Sequence, residues 1–261
     1  MQAKKMILAL ATFVLLMAAG ALYLSASHTS QPVYQGKELS SWLEAYDPYL
    51  RWKVTPAQKQ EADAAVSHIG TNSIPTLLRM LRARDWRWSA RFLEWLSKVR
   101  IFKIKRSLPA ENLQFAAANA FSVLGTEASN AVPKLIEIYK QNISESSRYY
   151  TVLSLWAIGP AANAAVPTLV ESMPGSKPEI RSAIVSEFAR IHANPELVVP
   201  ALIKNLNDPQ PLNRQDTVRL LGSFGTNAKQ ATSDLNKLRN DPSDTVRREV
   251  TNALKSINPD E

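Results

Sequence analysis

AFSVLGTEASNAVPKLIEIY (120–139) and SLWAIGPAANAAVPTLVESM (154–173) are one pattern written twice. Two looser copies follow, EFARIHANPELVVPALIKNL (187–206) and LLGSFGTNAKQATSDLNKLR (220–239). A hinge residue, Gly125, Gly159, His192 and Gly225, recurs at steps of 34, 33 and 33. Eight residues after it stand Pro133, Pro167, Pro200 and Ser233, and eleven before it stand Gln114, Arg148, Arg181 and Arg214. One more step of 33 from Arg214 reaches Arg247, and the turn Asn207-Asp208-Pro209 returns as Asn240-Asp241-Pro242. A degenerate earlier copy, AVSHIGTNSIPTLLRML (65–81), brings Gly70 and Pro75 closer together. A fixed period of this length marks stacked supersecondary units.

Each unit reads as two helices. The first carries an apolar stripe, Val218, Leu221 and Phe224 in one copy and Val250, Leu254 and Ile257 in another, at the spacing that lines one face of a helix. It ends at Gly, the residue suited to a positive-φ helix end. The second begins near Pro, whose missing N–H costs nothing in a first helical turn. Asn194-Pro195 is a cap followed by such a start. Neither helix buries its apolar side alone, so the units must stack.

The recurring hinge, proline and arginine resemble the HEAT-repeat (armadillo-like) family over about 56–261. The resemblance implies an all-α fold, a right-handed α-α superhelix. The opening PVYQGKELSSWLEAY (32–46) is also similar to the start of exported, membrane-anchored bacterial HEAT-repeat proteins. Both resemblances imply an interaction role and no particular reaction. Residues 37–55 are expected to form an N-terminal capping helix, with Ser41 and Glu44 in capping-box spacing and Trp42, Leu43 and Tyr46 shielding the first repeat.

Lys4 and Lys5 precede 7–24, an apolar run of 18 residues without a charge. As a helix it would be about 27 Å long, close to the hydrocarbon thickness of a bilayer. Basic residues ahead of it put the N-terminus in the cytoplasm and the rest outside. Residues 1–26 therefore read as a signal anchor of a single-pass cell-membrane protein. The rival reading is a signal peptide cleaved near Ser25-Ala26-Ser27, which would leave the mature chain secreted or periplasmic. Residues 27–36 read as a tether.

Net charge is +8, but it is concentrated. Residues 82–106 hold nine basic residues against Asp85 and Glu94, a net +7, and they lengthen the step from Pro75 to Pro133 to 58 residues. This insertion (82–110) carries Trp88, Phe92, Trp95, Val99 and Phe102 at helical spacing. The candidate binding surface is Trp86, Arg87, Trp88, Arg91, Lys98, Arg100, Lys103, Lys105 and Arg106. It reads either as an extra packed helix or as a docking element for an anionic surface.

Arg148, Arg181, Arg214 and Arg247 form a second candidate. They are expected to act as a structural ladder, each reaching the carboxylates and carbonyls of the repeat turns. No catalytic, metal or cofactor site is expected. The chain has no Cys, its three His are scattered, and no HExxH or G-x-S-x-G pattern occurs,. His192 marks a changed turn and His68 a structural position. The expected function is a non-enzymatic scaffold that binds a protein or peptide and meets the membrane through 7–24. One alternative is a membrane-surface or polyanion-binding module acting through 82–106. Another is a repeat-type enzyme, a HEAT-like lyase or a DNA glycosylase; Asp85, Glu94, Trp86, Trp88 and Trp95 match the latter's composition. The export segment argues against nucleic acid as a partner.

Overall fold

A computed structural model describes residues 31–48, 53–85, 108–191 and 193–259. The segment 1–26, most of the 82–110 insertion and His192 lie outside the described residues, and with them the whole candidate binding surface from Trp86 to Arg106.

Two short strands, β1 (Val33–Tyr34) and β2 (Lys37–Glu38), pair antiparallel around Gln35-Gly36, and α1 (Leu39–Leu43) follows. Among the described residues every later element is helical: α2 (Pro56–Ile69), α3 (Ile74–Leu81), α4 (Ala110–Leu124), α5 (Val132–Gln141), α6 (Glu145–Ile158), α7 (Val166–Ser172), α8 (Pro178–Arg190), α9 (Pro195–Asn205), α10 (Pro211–Ser223), α11 (Thr232–Lys237) and α12 (Asp244–Ile257). Helices α2, α4, α6, α8, α10 and α12 pack in succession as one layer, and α3, α5, α7, α9 and α11 lie beside them.

Local chemistry sets the joints. Gly70, Gly125, Gly159 and Gly225 all have positive φ, +53° to +72°, a region that a side chain disfavours. Each opens a 3-10 stretch that carries the chain to the next helix. Pro75, Pro133 and Pro167 then stand second in α3, α5 and α7. Pro200 departs from the pattern. It lies inside α9, because Asn194 caps that helix six residues earlier by accepting the Glu196 N–H at 2.9 Å.

The N-terminal cap differs from the expected helix over 37–55. A hairpin leads into a five-residue helix that starts two residues before Ser41, so Ser41 cannot cap it, and no side-chain cap forms there. The capping box sits one helix later, where the Thr55 hydroxyl accepts from the Gln58 N–H and the Gln58 amide oxygen accepts from the Thr55 N–H. Trp42, Leu43 and Tyr46 are buried, and the Tyr46 hydroxyl donates to Asp63 of α2.

The core is one continuous apolar seam between the two layers, with Phe121, Leu135, Ile138, Leu155, Ile158, Leu169, Ile184 and Phe188 fully buried. Each such side chain contributes about 1.5–3 kcal/mol of burial. The stretch Glu145–Gly175 is apolar enough for a membrane span, but it is the α6–α7 pair and more than half of it lies inside this seam.

Gly222 in α10 shows how closely the first-helix layer is packed. A Cβ there would stand 3.0 Å from both Cα and Cβ of Ala253 in α12. Gly222→Val is therefore expected to cost about 1–3 kcal/mol through overpacking, read as a lower urea midpoint. An unchanged midpoint would show that the two helices can part freely.

Candidate functional site

The recurring arginines are the first cluster. Arg148 donates to the Tyr139 hydroxyl at 2.7 Å and to Ser176 Oγ at 2.8 Å, and its guanidinium lies over the Tyr139 ring. Arg181 donates to the Ser176 carbonyl and pairs with Asp208 at 2.5 Å. Arg214 donates to the Asp208 carbonyl at 2.8 Å and holds both Asp241 oxygens at 2.8 Å. Arg247 donates to the Asp241 carbonyl at 2.6 Å and to Asp244.

A regular relay results. The turn residues Ser176, Asp208 and Asp241 each hold the arginine of the preceding repeat by the side chain and that of their own repeat by the carbonyl. A spacing of five or six residues accounts for the carbonyl contacts; the side-chain partner comes from the following turn. Asn213 and the Gln210 N–H also donate to Asp208. Burial would raise the Asp208 carboxyl, but the hydrogen bonds from Arg181, Gln210 and Asn213 outweigh it and hold it below the ordinary carboxylate range. Asp241 is held low chiefly by Arg214, and Arg214 is raised by Asp241. In the first copy Gln114 replaces arginine and donates to the Ala83 carbonyl at 2.9 Å.

The ends of the 82–110 insertion are tied together. Arg82 reaches Glu137 at 3.3 Å, and Asp85 accepts the Ala110 N–H at 2.8 Å, which caps α4. His68 stacks on Tyr34 with ring centroids 4.5 Å apart.

A trough on the solvent side of the first-helix layer is the second cluster, and no sequence motif announces it. It holds about 630 Å3 where α4, α6 and α8 begin, lined by Glu111, Glu145, Tyr149, Tyr150, Lys177 and Glu179. A further 320 Å3 continues between α6 and α8 past Leu153, Trp156, Ser182 and Ser186. Tyr149 and Glu179 line both parts, so the two hollows adjoin. Trp156 is 41% exposed. Tyr149, Tyr150 and Phe115 pack edge to face. Burial pushes the Tyr150 hydroxyl up, with help from Glu111. Lys177 pairs with Glu145 at 2.5 Å, which raises the lysine.

One signal could have revealed the trough. Tyr149, Leu153 and Trp156 occupy repeat positions that hold Phe115, Asn119 and Ser122 in α4 and Ser182, Ser186 and Ala189 in α8. The same positions hold Gln215, Arg219 and Gly222 in α10 and Arg248, Asn252 and Lys255 in α12. Among the described helices α6 alone carries an aromatic and aliphatic stripe at all three places, with Trp156 exposed and Tyr149 and Leu153 half-buried, and small residues of α8 leave a hollow beside it.

Glu187 of α8 was equally unannounced. It is fully buried, and neither of its oxygens has a hydrogen-bond partner among the described residues. Burial pushes its carboxyl up to about 8, although Arg190 pulls the other way. The matching positions are Ala120, Ser154, Leu220 and Ala253. Among the described residues, no three His, Asp or Glu side chains gather as metal ligands would.

The class these features define is an all-helical protein with a trough on one face. No family model matches the sequence, and no curated protein matches it. The chain is similar to the crystal structure of an engineered protein, a Northeast Structural Genomics Consortium target, with a TM-score of 0.50 and 16% identity. The match covers 85% of this chain and 96% of that one. At that identity the likeness concerns the backbone arrangement alone.

Proposed function

We propose that the chain is a HEAT-like helical-repeat scaffold, non-enzymatic, that holds a protein or peptide on its first-helix face. The reading includes a right-handed stack of repeats and an anchor over 7–24 that leaves the repeats outside the cytoplasm. The stripe Tyr149, Leu153 and Trp156 carries it. A contiguous apolar patch rimmed by polar groups is characteristic of an interaction surface. Trp156 is the exposed member of the stripe, while Tyr149 and Leu153 are half-buried against the core and turn only their outer edges to the trough. The apolar run after Lys4 and Lys5 supports the anchor,.

The test is site-specific photo-crosslinking in cells that express the full chain. A photoreactive residue at Leu153 is expected to give a discrete adduct in the membrane fraction. The same residue at Arg248, on the corresponding position of α12, is expected to give none. Equal labelling at the two positions, or no adduct at Leu153, would remove the scaffold reading. Recovery of the chain in the soluble cytoplasmic fraction would remove the anchor.

A further inference from the structure

We propose that the trough between α4, α6 and α8 takes an extended, cation-rich peptide segment of a partner protein; this rests on the scaffold reading and names the chemistry of its ligand. The first argument is charge. The chain as a whole is +8, yet the wide part of the trough sets Glu111, Glu145 and Glu179 against Lys177, a net −2, and Arg190 beside Trp156 at the far end leaves the whole acidic. The three carboxylates stand in the first turns of three successive packed helices, so they form a row across the mouth of the trough. Acidic residues in first turns are favoured by the helix dipole, and that explains each glutamate singly. It does not explain why the rings of α6 lie beside them.

The second argument is the rings. Tyr149, Tyr150 and Trp156 offer faces that attract ammonium or guanidinium groups. The fold already contains one such contact, Arg190 with its guanidinium 5.5 Å from the Trp156 ring centre. A ligand with cations to meet the carboxylates and rings, and short apolar side chains to fill the hollow over Ser182 and Ser186, satisfies every wall of the trough. A polyanion would meet three carboxylates instead.

The third argument is length. From Glu145 to Trp156 the wall runs eleven residues of helix, about 16 Å, which about five residues of extended chain would span.

The test uses the full chain in detergent and a fluorescent peptide of four Arg-Ser-Leu units, with the Glu-Ser-Leu counterpart as control. The basic peptide is expected to bind at least about tenfold tighter than the acidic one, a difference of about 1.4 kcal/mol, and to weaken as salt rises. Trp156→Ala is expected to weaken binding about tenfold, and Glu111→Gln with Glu179→Gln several-fold. Both glutamates are exposed, so this double variant should melt like the parent. Arg248→Ala should leave binding unchanged. Equal binding of the two peptides, or unchanged binding to both trough variants, would overturn the proposal. So would binding that appears only after Arg87, Arg91, Lys103 and Arg106 are reversed to Glu, because the trough would then belong to the chain's own basic segment. An adduct at Leu153 combined with failure of the basic peptide would sink this inference and leave the scaffold reading standing.

Discussion

Asp241→Ala is expected to lower stability by about 3–5 kcal/mol, the range for removing one partner of a buried ion pair. The Asp241 side chain is 3% exposed and that of Arg214 is 12% exposed. The carboxylate also accepts the Ser243 N–H at 2.8 Å. Its loss would strand a nearly buried guanidinium and open the joint between the last two repeats. Asp244→Ala removes the Arg247 contact at the chain's end, but there the side chains are 40% and 88% exposed. Screening and side-chain entropy leave such a pair about 0.2–1 kcal/mol. Urea denaturation of the two variants measures the contrast. A double-mutant cycle with Arg214→Ala then isolates the coupling. Similar losses for Asp241 and Asp244 would mean that the relay does not hold the repeats together.

Asp208 and Asp241 also set an acid limit. Both carboxyls lie below their ordinary value in the fold. Their contribution is therefore complete above the ordinary carboxylate range and is lost as pH falls through the folded values.

Glu187→Leu is expected to stabilise the protein, and increasingly so with pH. The folded carboxyl titrates near 8 instead of 4.5. Between those values the folded state carries a proton that the unfolded state has released. Wild-type stability then falls as pH rises, by up to about 1.4 kcal/mol per unit. Leucine, the residue at the matching position 220, removes the titration and the unsatisfied oxygens together. The gain expected near pH 8 is about 1–4 kcal/mol, shrinking toward pH 5. Glu187→Gln should flatten the pH dependence but keep the cost of a buried polar group without a partner. Urea midpoints across this range decide the matter. Parallel wild-type and Glu187→Leu curves would show that the carboxyl does not titrate between those limits.

The helices were legible because their signals are local. Gly125 and Gly159 end helices by their own backbone freedom, and Pro133 and Pro167 open the next ones because a first turn needs no N–H at that place. The Ser41 capping box failed for a reason that is also local but depends on register. A hairpin at Gly36 started α1 earlier than the Ser-x-x-Glu spacing implied. Pro200 falls inside α9, as the Asn194-Pro195 start read from the sequence requires. The ladder was half legible. Six-residue spacing gave the carbonyl contacts of Arg214 and Arg247, because a turn and the helix it feeds are covalently close. The partner of the Arg214 head group, Asp241, is 27 residues away and depends on how far one repeat slides past the next.

The sequence alone determined where the repeat helices that end at Gly and restart at Pro break, that they come in pairs of about 33 residues, and which flank of each is apolar. Those properties follow from backbone preferences and periodicity within one or two turns. Only the tertiary structure decided which side chain each arginine meets, that Glu187 is sealed from water, and that Tyr149, Leu153 and Trp156 edge a trough beside three glutamates. These depend on the offset between neighbouring helices. That offset is set by the summed packing of many side chains, with close approaches such as Gly222 against Ala253, and by no single residue.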